Sequence, residues 1–318
     1  MAGRRISDAD IGEQLKSLER NPLGFEGEDE FRMSLAGAQE KTALLYWKKR
    51  WHVPRGTTPT THILKPQIGK LPNGLEFLDS VENEHFCLRV MAAFDLPVAD
   101  TQIVDFAGQR TLVVARFDRL WTRDKRLLRV PQEDCCQALS VPPSRKYEVN
   151  GGPGMVAIAQ LLKGSDTSDA DLRRFFKTQA LFWLLGATDG HAKNFSVRLS
   201  PGGRFVLTPI YDVLSAQPNF DAGRIRRTQM TLAMAIGTSR HYRVDEIVPR
   251  HFLQMAKLCG IPQKTAAGVL EEIADAAKGA MDKAAASMPK GFPQPLVKAI
   301  VTGARQRLSH FGRKRNEQ

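Results

Sequence analysis

Two short segments, Thr188-Asp189-Gly190-His191-Ala192-Lys193-Asn194 and Tyr211-Asp212-Val213, decide the fold of this 318-residue chain. They place an aspartate, an asparagine five positions later and a second aspartate eighteen positions after that asparagine. Phosphoryl transfer needs a carboxylate that accepts the proton of the substrate hydroxyl, followed by amide and carboxylate oxygens that hold Mg²⁺ on the nucleotide phosphates. The spacing therefore predicts a phosphoryl-transfer site that uses ATP and Mg²⁺, with Asp189 as the base and Asn194 and Asp212 as metal ligands.

The residues around these segments favour a buried helix and a strand. Ala180 to Ala187 is an apolar run typical of a helix, and Phe205 to Leu207 is a strand-like run that leads through Pro209 to the second aspartate. Taken alone, Asp-x-x-x-x-Asn is more often a polar turn, because Asp, Gly and Asn are common turn residues. The flanking elements favour a site, since they would hold both acids at one cleft.

A candidate phosphate-binding loop lies upstream. Ser34 to Lys41 is rich in small residues and precedes the strand-like run Thr42 to Trp47. Small side chains let backbone N–H groups approach a phosphate closely. As a bare pattern, the same stretch fits an ordinary turn better than a phosphate-binding loop.

A lysine and a glutamate follow at a spacing that suits a kinase. Lys65 ends the strand-like run His62 to Leu64, and Glu84 lies nineteen positions later on a predicted helix from Val81 to Phe94. A strand, a connection and the first turns of a helix would bring them together as the lysine–glutamate ion pair of protein kinases. Two independent surface charges are the alternative.

Further on, the chain predicts a β-hairpin. Gln102 to Phe106 and Arg110 to Ala115 flank a glycine-containing turn at Ala107 to Gln109. The hairpin leads into Arg116 to Arg119, where a link between two lobes would hydrogen-bond adenine through its backbone and Phe117 would offer an apolar face. The alternative places Phe117 in the core, which is the usual position of a phenylalanine at the end of a strand.

The rest of the chain is predicted to be mainly helical. Ser168-x-x-Asp171 resembles a capped helix start. The candidate helices are 168–186, 248–260, 263–277 and 296–311.

Seven motifs in unbroken order resemble the HipA-type serine/threonine kinase toxins of bacterial toxin–antitoxin systems. They are SLAGAQEKTALL (34–45), TTHILK (60–65), RFDR (116–119), VPQEDCCQ (130–137), PPSRKYE (142–148), GATDGHAKNFS (186–196) and YD (211–212). The resemblance extends from about Phe31 to the C-terminal region. It implies an α+β, two-lobed, protein-kinase-like fold with a mixed α/β front lobe at 1–120 and a mainly helical catalytic lobe at 121–318.

The resemblance also implies a role for each residue of the site. The catalytic base would be Asp189, the Mg²⁺ ligands would be Asn194 and Asp212, and the autophosphorylated residue would be Ser34. Lys65, paired with Glu84, would contact the phosphates, which would be covered by Ala36, Gly37, Ala38, Gln39, Glu40 and Lys41. Adenine would be held by Ala115, Arg116 and Phe117, and the other residues at the nucleotide would be His191, Ala192, Lys193 and Asn194. Ala115 departs from the glutamate common in the family, but adenine contacts there are mainly from backbone.

The resemblance further implies partners and a substrate. HipA-type proteins usually carry an additional N-terminal subdomain, whereas only Met1 to Glu30 precede the candidate loop here. We therefore expect a small companion protein that replaces this subdomain, or a shortened chain. A DNA-binding antitoxin, operator DNA reached through it, and an aminoacyl-tRNA synthetase as the phosphorylated substrate are the other expectations.

Composition agrees with a basic cytosolic protein. The net charge of +12 and the pI near 9.7 suggest an acidic partner, with basic groups at Arg224 to Arg227 and at the C-terminal end from Arg305 through Arg307 to Arg315. Such groups are more often solvated surface than nucleic-acid contacts. No run reaches the roughly eighteen apolar residues of a membrane span. The four cysteines form no Cys-x-x-Cys pair, which favours reduced, partly buried thiols.

Three other functions compete with a protein kinase. The first is a helix-turn-helix regulator built from Phe252 to Ile273, but Glu271, Glu272 and Asp275 are acidic where a DNA-reading helix favours basic and amide side chains. The second is a catalytically silent kinase fold that acts as a co-repressor, which would be expected to have lost Asp189 or Asp212. The third is a small-molecule kinase of the same fold.

Overall fold

A computed structural model describes residues 2–18, 39–70 and 76–311. The chain divides into two compact units, one formed by 1–85 with 99–130 and the other by 86–98 with 131–318. Strands in the first unit are β1 (Gly3–Arg5), β2 (Thr42–Trp47), β3 (Arg50–Pro54), β4 (His62–Pro66), β5 (Gly69–Lys70), β6 (Glu76–Phe77), β7 (Thr101–Phe106), β8 (Gln109–Ala115), β9 (Arg119–Trp121) and β10 (Leu127–Arg129). Its helices are α1 (Asp8–Ser17) and the start of α2 (Ser80–Ala93).

The first unit is built on an antiparallel sheet of six strands in the order β1-β3-β2-β4-β8-β7. The predicted hairpin is present as β7 and β8, which pair from Thr101 opposite Val114 to Phe106 opposite Gln109. Its turn has φ values of 51° at Ala107 and 84° at Gly108. Positive φ at both central residues matches the right-handed twist of the flanking strands.

Helix α1 covers one face of this sheet. Ile11 and Leu15 from the helix are buried with Leu44, Leu64 and Phe106 from the strands. Gly12 allows the close approach, because a Cβ there would lie 2.6 Å from the carbonyl oxygen of Phe106. The core of the first unit therefore lies between α1 and the strand that carries Lys65.

The units divide at a different place from the predicted boundary near Leu120. The β9–β10 hairpin belongs to the first unit, and 86–98 belongs to the second. The hairpin is tied back by hydrogen bonds from the Val130 amide to the Asp118 carbonyl oxygen, 2.9 Å, and from Arg119 Nε to the Thr60 carbonyl oxygen, 2.9 Å. These contacts join residues far apart in sequence, so spacing alone does not reveal them.

The second unit is mainly helical. Its helices are α3 (Cys135–Ala138), α4 (Met155–Leu162), α5 (Ser168–Leu185), α6 (Gln217–Asp221), α7 (Pro249–Cys259), α8 (Gln263–Ala286) and α9 (Gln294–Leu308), and its strands are β11 (Gln132–Asp134), β12 (Ser196–Ser200), β13 (Arg204–Leu207), β14 (Thr231–Ile236) and β15 (His241–Arg243). All four predicted helices are confirmed, and α8 is longer than predicted because the alanine-rich stretch up to Ala286 has high helix propensity.

Helix α5 is the core of the second unit. Its residues from Phe175 to Leu185 are buried without interruption. The helix begins at Ser168 as predicted, but the Asp171 carboxylate does not cap it: it accepts hydrogen bonds from Ser165 Oγ and from the Leu207 amide, 2.9 Å. This aspartate therefore anchors the helix to β13, the strand that leads to Asp212.

The prediction of a basic C-terminal end on the surface is wrong for Arg307, because this residue is only 9% exposed. Its Nε donates to the Leu184 carbonyl oxygen, 2.8 Å, and its Nη1 donates to Gln217 Oε1, 2.9 Å. Burial lowers its pKa to about 10. The last turn of α9 thus holds the C-terminal end of α5, while 312–318 lie outside the described residues.

All four cysteines are buried, and none forms a disulfide in the described part of the chain. Glu272 of α8 pairs with Lys177 of α5, 2.5 Å, and with Arg173, so this acidic side chain joins α8 to α5. Among the described residues, no helix is long and apolar enough to cross a membrane.

Candidate active site

The loop after α5 carries Asp189. The helix ends at Gly186, which has a φ of 66° in the left-handed region that favours glycine. Gly190 packs so closely that a Cβ there would lie 2.3 Å from the ring of Phe182. The His191 amide donates to the Asp189 carbonyl oxygen, 2.8 Å, and a 3-10 turn at Ala192–Asn194 follows. The buried helix and the absence of a side chain at Gly190 fix the path of this loop.

Asn194 and Asp212 lie in contact, as the spacing predicts. Asn194 Nδ2 donates to the carbonyl oxygen of Asp212, 3.1 Å, and to its Oδ2, 3.3 Å. Asp212 has a φ of 60°, a left-handed conformation that costs a residue with a side chain about 1–3 kcal/mol. Strained backbone of this kind clusters at functional sites, because the surrounding structure must hold it in place.

The side-chain oxygen of Asn194 fits a metal ligand. Asn194 is 1% exposed, and its Oδ1 has no hydrogen-bond partner among the described residues. A buried acceptor without a partner costs about 1–3 kcal/mol, and a cation would remove that cost. Mg²⁺ takes oxygen ligands, keeps several waters and is often held by one or two protein groups together with substrate phosphates. Asn194 Oδ1 and the Asp212 carboxylate suit this ion.

A larger protein cage for a metal is not seen. No group of three or more His, Cys, Asp and Glu side chains in the described ranges could hold a metal ion.

Asp189 is the exposed acid of the site, with 58% of its side chain accessible. Tyr147 donates a hydrogen bond from its hydroxyl to Asp189 Oδ1, and the other oxygen, Oδ2, lies 3.9 Å from His191 Nε2. Burial, together with the hydrogen bond to Asp189 and its charge, raises the pKa of Tyr147. The phenol therefore stays protonated and donates at neutral pH.

His191 is a buried neutral histidine. Burial lowers its pKa, although the charge of Asp189 acts in the opposite direction. Its Nδ1 is buried and lacks a hydrogen-bond partner in the described part of the chain. The imidazole can thus offer one ring nitrogen to a ligand, and its contact with nucleotide stays a prediction.

Two residues that we predict to lie at the nucleotide, Lys193 and Ala192, contact other parts of the protein. Lys193 Nζ pairs with Asp134 Oδ2 at 2.6 Å, and Ala192 is fully buried. The carbonyl oxygen of Lys193 accepts from the Tyr211 hydroxyl, 2.8 Å, which in turn lies 2.6 Å from Ser196 Oγ. These contacts bind the Asp189 loop to the Asp212 segment, and the roles of both residues at a nucleotide remain predictions.

In the first unit, Lys65 and Glu84 form the predicted ion pair. Lys65 Nζ lies 2.9 Å from Glu84 Oε1 and 3.0 Å from Oε2, with only 9% and 3% of the two side chains exposed. Strand β4 presents the lysine and the first turns of α2 present the glutamate. Nearby, Gln39 Nε2 donates to the Pro66 carbonyl oxygen, 3.2 Å, so the end of the candidate phosphate loop lies against the lysine strand.

Part of the candidate phosphate loop lies outside the described residues, namely Ser34, Ala36, Gly37 and Ala38. Gln39 and Lys41 are partly buried and Glu40 is exposed. Their contacts with phosphate stay predictions.

The predicted adenine segment forms the end of strand β8. The Ala115 amide donates to the Asp100 carbonyl oxygen and the Arg116 amide to the Thr61 carbonyl oxygen, both at 2.9 Å. The Arg116 guanidinium pairs with Asp118, with Nη2 at 2.7 Å from Oδ2. These two amides therefore hold the end of the strand, and the Arg116 carbonyl oxygen accepts from the Arg119 amide, 3.3 Å. The contact of this segment with adenine stays a prediction.

Tyr147, Glu148 and Asp134 are the site residues that sequence reasoning did not single out. All three lie inside motifs already noted, PPSRKYE and VPQEDCCQ. Each of them is a polar or aromatic residue within a long family motif, and this position could have marked it as a candidate. The motif does not show which side chain reaches Asp189.

Comparison with known proteins places these motifs in a family. The family model of the HipA-like C-terminal domain matches residues 33–281. A candidate kinase of Sinorhizobium fredii, Y4mE, is 36% identical over 211 residues, which are 66% of this chain and 48% of that protein. The serine/threonine-protein kinase toxin HipA of Shewanella oneidensis is 32% identical over 221 residues, 64% of this chain and 47% of that protein. The chain thus spans about half the length of these curated relatives.

Solved structures show the same fold. The HipA toxin of Shewanella oneidensis MR-1, solved with HipB and its operator DNA, superimposes with a TM-score of 0.76 at 24% identity, covering 97% of this chain and 72% of that one. The proinflammatory kinase CtkA of Helicobacter pylori gives a TM-score of 0.56 at 13% identity, covering 84% and 90%. The predicted α+β, kinase-like fold is confirmed, and the chain belongs to the family of the HipA-like C-terminal domain.

Proposed function

We propose that this protein is a serine/threonine protein kinase that uses ATP and Mg²⁺ and acts as the toxin of a toxin–antitoxin system. The observation that carries the proposal is the contact between Asn194 and a backbone-strained Asp212, which leaves the buried Asn194 Oδ1 without a partner. These are the oxygens that a kinase needs for magnesium, and they lie in the unit that also carries the exposed Asp189.

Each side chain has a chemical task in this proposal. Asp189 accepts the proton of the acceptor hydroxyl, and Asn194 and Asp212 hold the metal. Bound Mg²⁺ would neutralise charge on the phosphates during transfer. Lys65, oriented by Glu84, binds the phosphates, and the small-residue loop that ends at Lys41 covers them.

The direct test is transfer of ³²P from γ-labelled ATP. The purified protein is incubated with Mg–ATP and, in separate reactions, with a cell protein extract and with a panel of small hydroxyl metabolites; EDTA is the metal control. Labelled protein that depends on Mg²⁺ supports a protein kinase. Labelling of a metabolite alone would assign the site to a small-molecule kinase, and no transfer to either would support the silent co-repressor.

We propose an aminoacyl-tRNA synthetase as the protein substrate, so that phosphorylation inhibits translation. The family resemblance supports this class, and no side chain of the described residues selects a particular synthetase. Phosphoproteomics after induced expression, with the Asp189→Ala protein as the matched control, identifies the substrate as a serine or threonine that is labelled only by the active chain.

Ser34 is the proposed site of self-inactivation. A phosphate there adds about −1.5 to −2 charges to a loop that would hold ATP phosphates, so repulsion should close the site to nucleotide. We expect phosphorylated protein to lose Mg–ATP binding and activity, while Ser34→Ala keeps its ATP affinity. Mass spectrometry after incubation with Mg–ATP checks the modification, and an unmodified Ser34 in active protein would remove the proposal.

A DNA-binding antitoxin is the proposed partner. The structurally similar HipA was solved with HipB and operator DNA, and a net charge of +12 allows additional phosphate contacts. We expect an affinity-tagged chain to recover a small DNA-binding protein from its native cells, and the recovered partner to restrain kinase activity. The operator complex should weaken steeply as salt is added. Recovery of the chain without a partner, and with unrestrained activity, contradicts this expectation.

A further inference from the structure

The loop from Pro142 to Gly154, which follows α3, is held in one shape by its own packing. The Glu148 carboxylate accepts from the Ala235 amide, 2.7 Å, and lies 3.2 Å from Arg240 Nη2. A Cβ on Gly154 would lie 2.3 Å from that carboxylate, and a Cβ on Gly152 would lie 2.0 Å from the Arg145 carbonyl oxygen. The neighbours therefore leave no room at either glycine, and Glu148 fixes the loop to β14.

This rigid loop presents Tyr147 to the base. The Tyr147 hydroxyl donates to Asp189 Oδ1, and its ring lies edge-on to the His191 ring with centroids 5.1 Å apart. The Lys146 ammonium sits 5.1 Å from the centre of the tyrosine ring. The Lys146 carbonyl oxygen also accepts from the Ala192 amide, 3.3 Å, so the loop is bonded to the Asp189 loop itself.

The hydrogen bond from Tyr147 gives the two carboxylate oxygens of Asp189 different surroundings. Oδ1 is occupied by the phenol, whereas Oδ2 faces the His191 edge at 3.9 Å in a side chain that is 58% exposed. A carboxylate on an exposed loop can otherwise rotate, and catalysis by a base requires a fixed orientation toward the acceptor hydroxyl. One oxygen is held and the other remains open to substrate.

We propose that Tyr147 is a positioning residue, which holds the Asp189 carboxylate through Oδ1 so that Oδ2 accepts the proton of the substrate hydroxyl. The inference rests on the proposed kinase function. In the transfer step, the acceptor oxygen forms a bond to the γ-phosphorus as the bond from that phosphorus to the ADP oxygen breaks, and the hydroxyl proton passes to Asp189. Tyr147 keeps its own proton throughout.

The kinetic test is Tyr147→Phe, which removes the hydroxyl and keeps the ring against His191. Removal of a hydrogen bond to a charged group lowers a rate constant that depends on it by roughly ten- to a hundredfold. We therefore expect kcat to fall by that factor while the KM for ATP stays unchanged. Tyr46→Phe is the matched control, because Tyr46 lies on β2 and is 39% exposed; its kcat should equal that of the wild type. An unchanged melting temperature confirms that Tyr147→Phe is folded.

A second measurement does not depend on activity. The four tyrosines are replaced biosynthetically by 3-fluorotyrosine, the ¹⁹F resonance of position 147 is assigned by its loss in Tyr147→Phe, and the spectrum is titrated with alkali. Because the Asp189 charge contributes to the raised pKa of Tyr147, Asp189→Asn should let this phenol ionise at lower pH. A tyrosine that lacks the contact with Asp189 in solution would not respond to that substitution, so the titration tests the contact and the kinetics test the positioning role.

The outcomes separate the two proposals. If wild-type protein transfers phosphate and Tyr147→Phe has an equal or higher kcat, positioning is overturned, and a higher value would make the phenol a competitor of the substrate. If wild-type protein shows no transfer, the kinase proposal fails, and the fluorine titration still decides the contact: a resonance unmoved by Asp189→Asn overturns it. A lowered kcat at constant KM together with a shifted titration supports the positioning role.

Discussion

Asp189→Ala should abolish phosphoryl transfer while the protein still binds Mg–ATP. The substitution removes the proposed base but leaves the Asn194–Asp212 pair intact, so the ground-state complex should form without a proton acceptor. Proton transfer by a positioned side chain contributes about 10²–10⁴-fold, and we expect kcat to fall by at least that factor. Measurement of ³²P transfer gives the rate, and isothermal titration gives the nucleotide affinity.

Asp212→Ala should lose both activity and affinity. It removes the carboxylate that we propose as a metal ligand, and it leaves Asn194 Nδ2 without one of its two acceptor contacts, at 3.3 Å. Asp282→Ala is the control for either change, because Asp282 lies on the outer face of α8 with 52% of its side chain exposed. Full activity in either site variant, or equal Mg–ATP binding by the Asp212 variant and the wild type, would contradict the assigned roles.

Lys65→Met should destabilise the first unit by about 3–5 kcal/mol. The Lys65–Glu84 pair is almost completely buried, and removal of Lys65 leaves the Glu84 charge buried without its ion-pair partner. The double substitution Lys65→Met with Glu84→Leu should recover most of this loss, since a well-packed apolar pair often replaces a buried ion pair without cost. Both proteins should lack kinase activity, so stability must be measured separately from rate.

Urea unfolding followed by tryptophan fluorescence measures this effect, because Trp47, Trp51 and Trp121 report on the first unit and Trp183 on the second. Lys70→Met is the control: Lys70 pairs with Glu76 at 2.7 Å but has 70% of its side chain exposed, and exposed pairs contribute less than about 1 kcal/mol. Equal losses for the Lys65 and Lys70 variants would show that burial of the first pair has no energetic weight.

The sequence alone determined the main helices and strands and the order of the candidate site residues along the chain. The apolar run before Gly186 predicted a helix, and this helix is buried along its C-terminal half. The two strand-like runs on either side of Ala107-Gly108 predicted a hairpin, which is present as β7 and β8. The fixed separations from Asn194 to Asp212, and from Lys65 to Glu84, also predicted which groups meet. These features depend on local periodicity and on short connections, which a sequence displays directly.

Only the tertiary structure decided which distant side chains touch. Tyr147 reaches Asp189 across forty-two positions, Lys193 pairs with Asp134 rather than standing open, and Arg307 is buried against α5 rather than exposed. Periodicity states which face of an element is apolar, but it does not state what that face packs against. The partner of a polar side chain depends on packing between segments far apart in the chain, and so does the unsatisfied oxygen of Asn194.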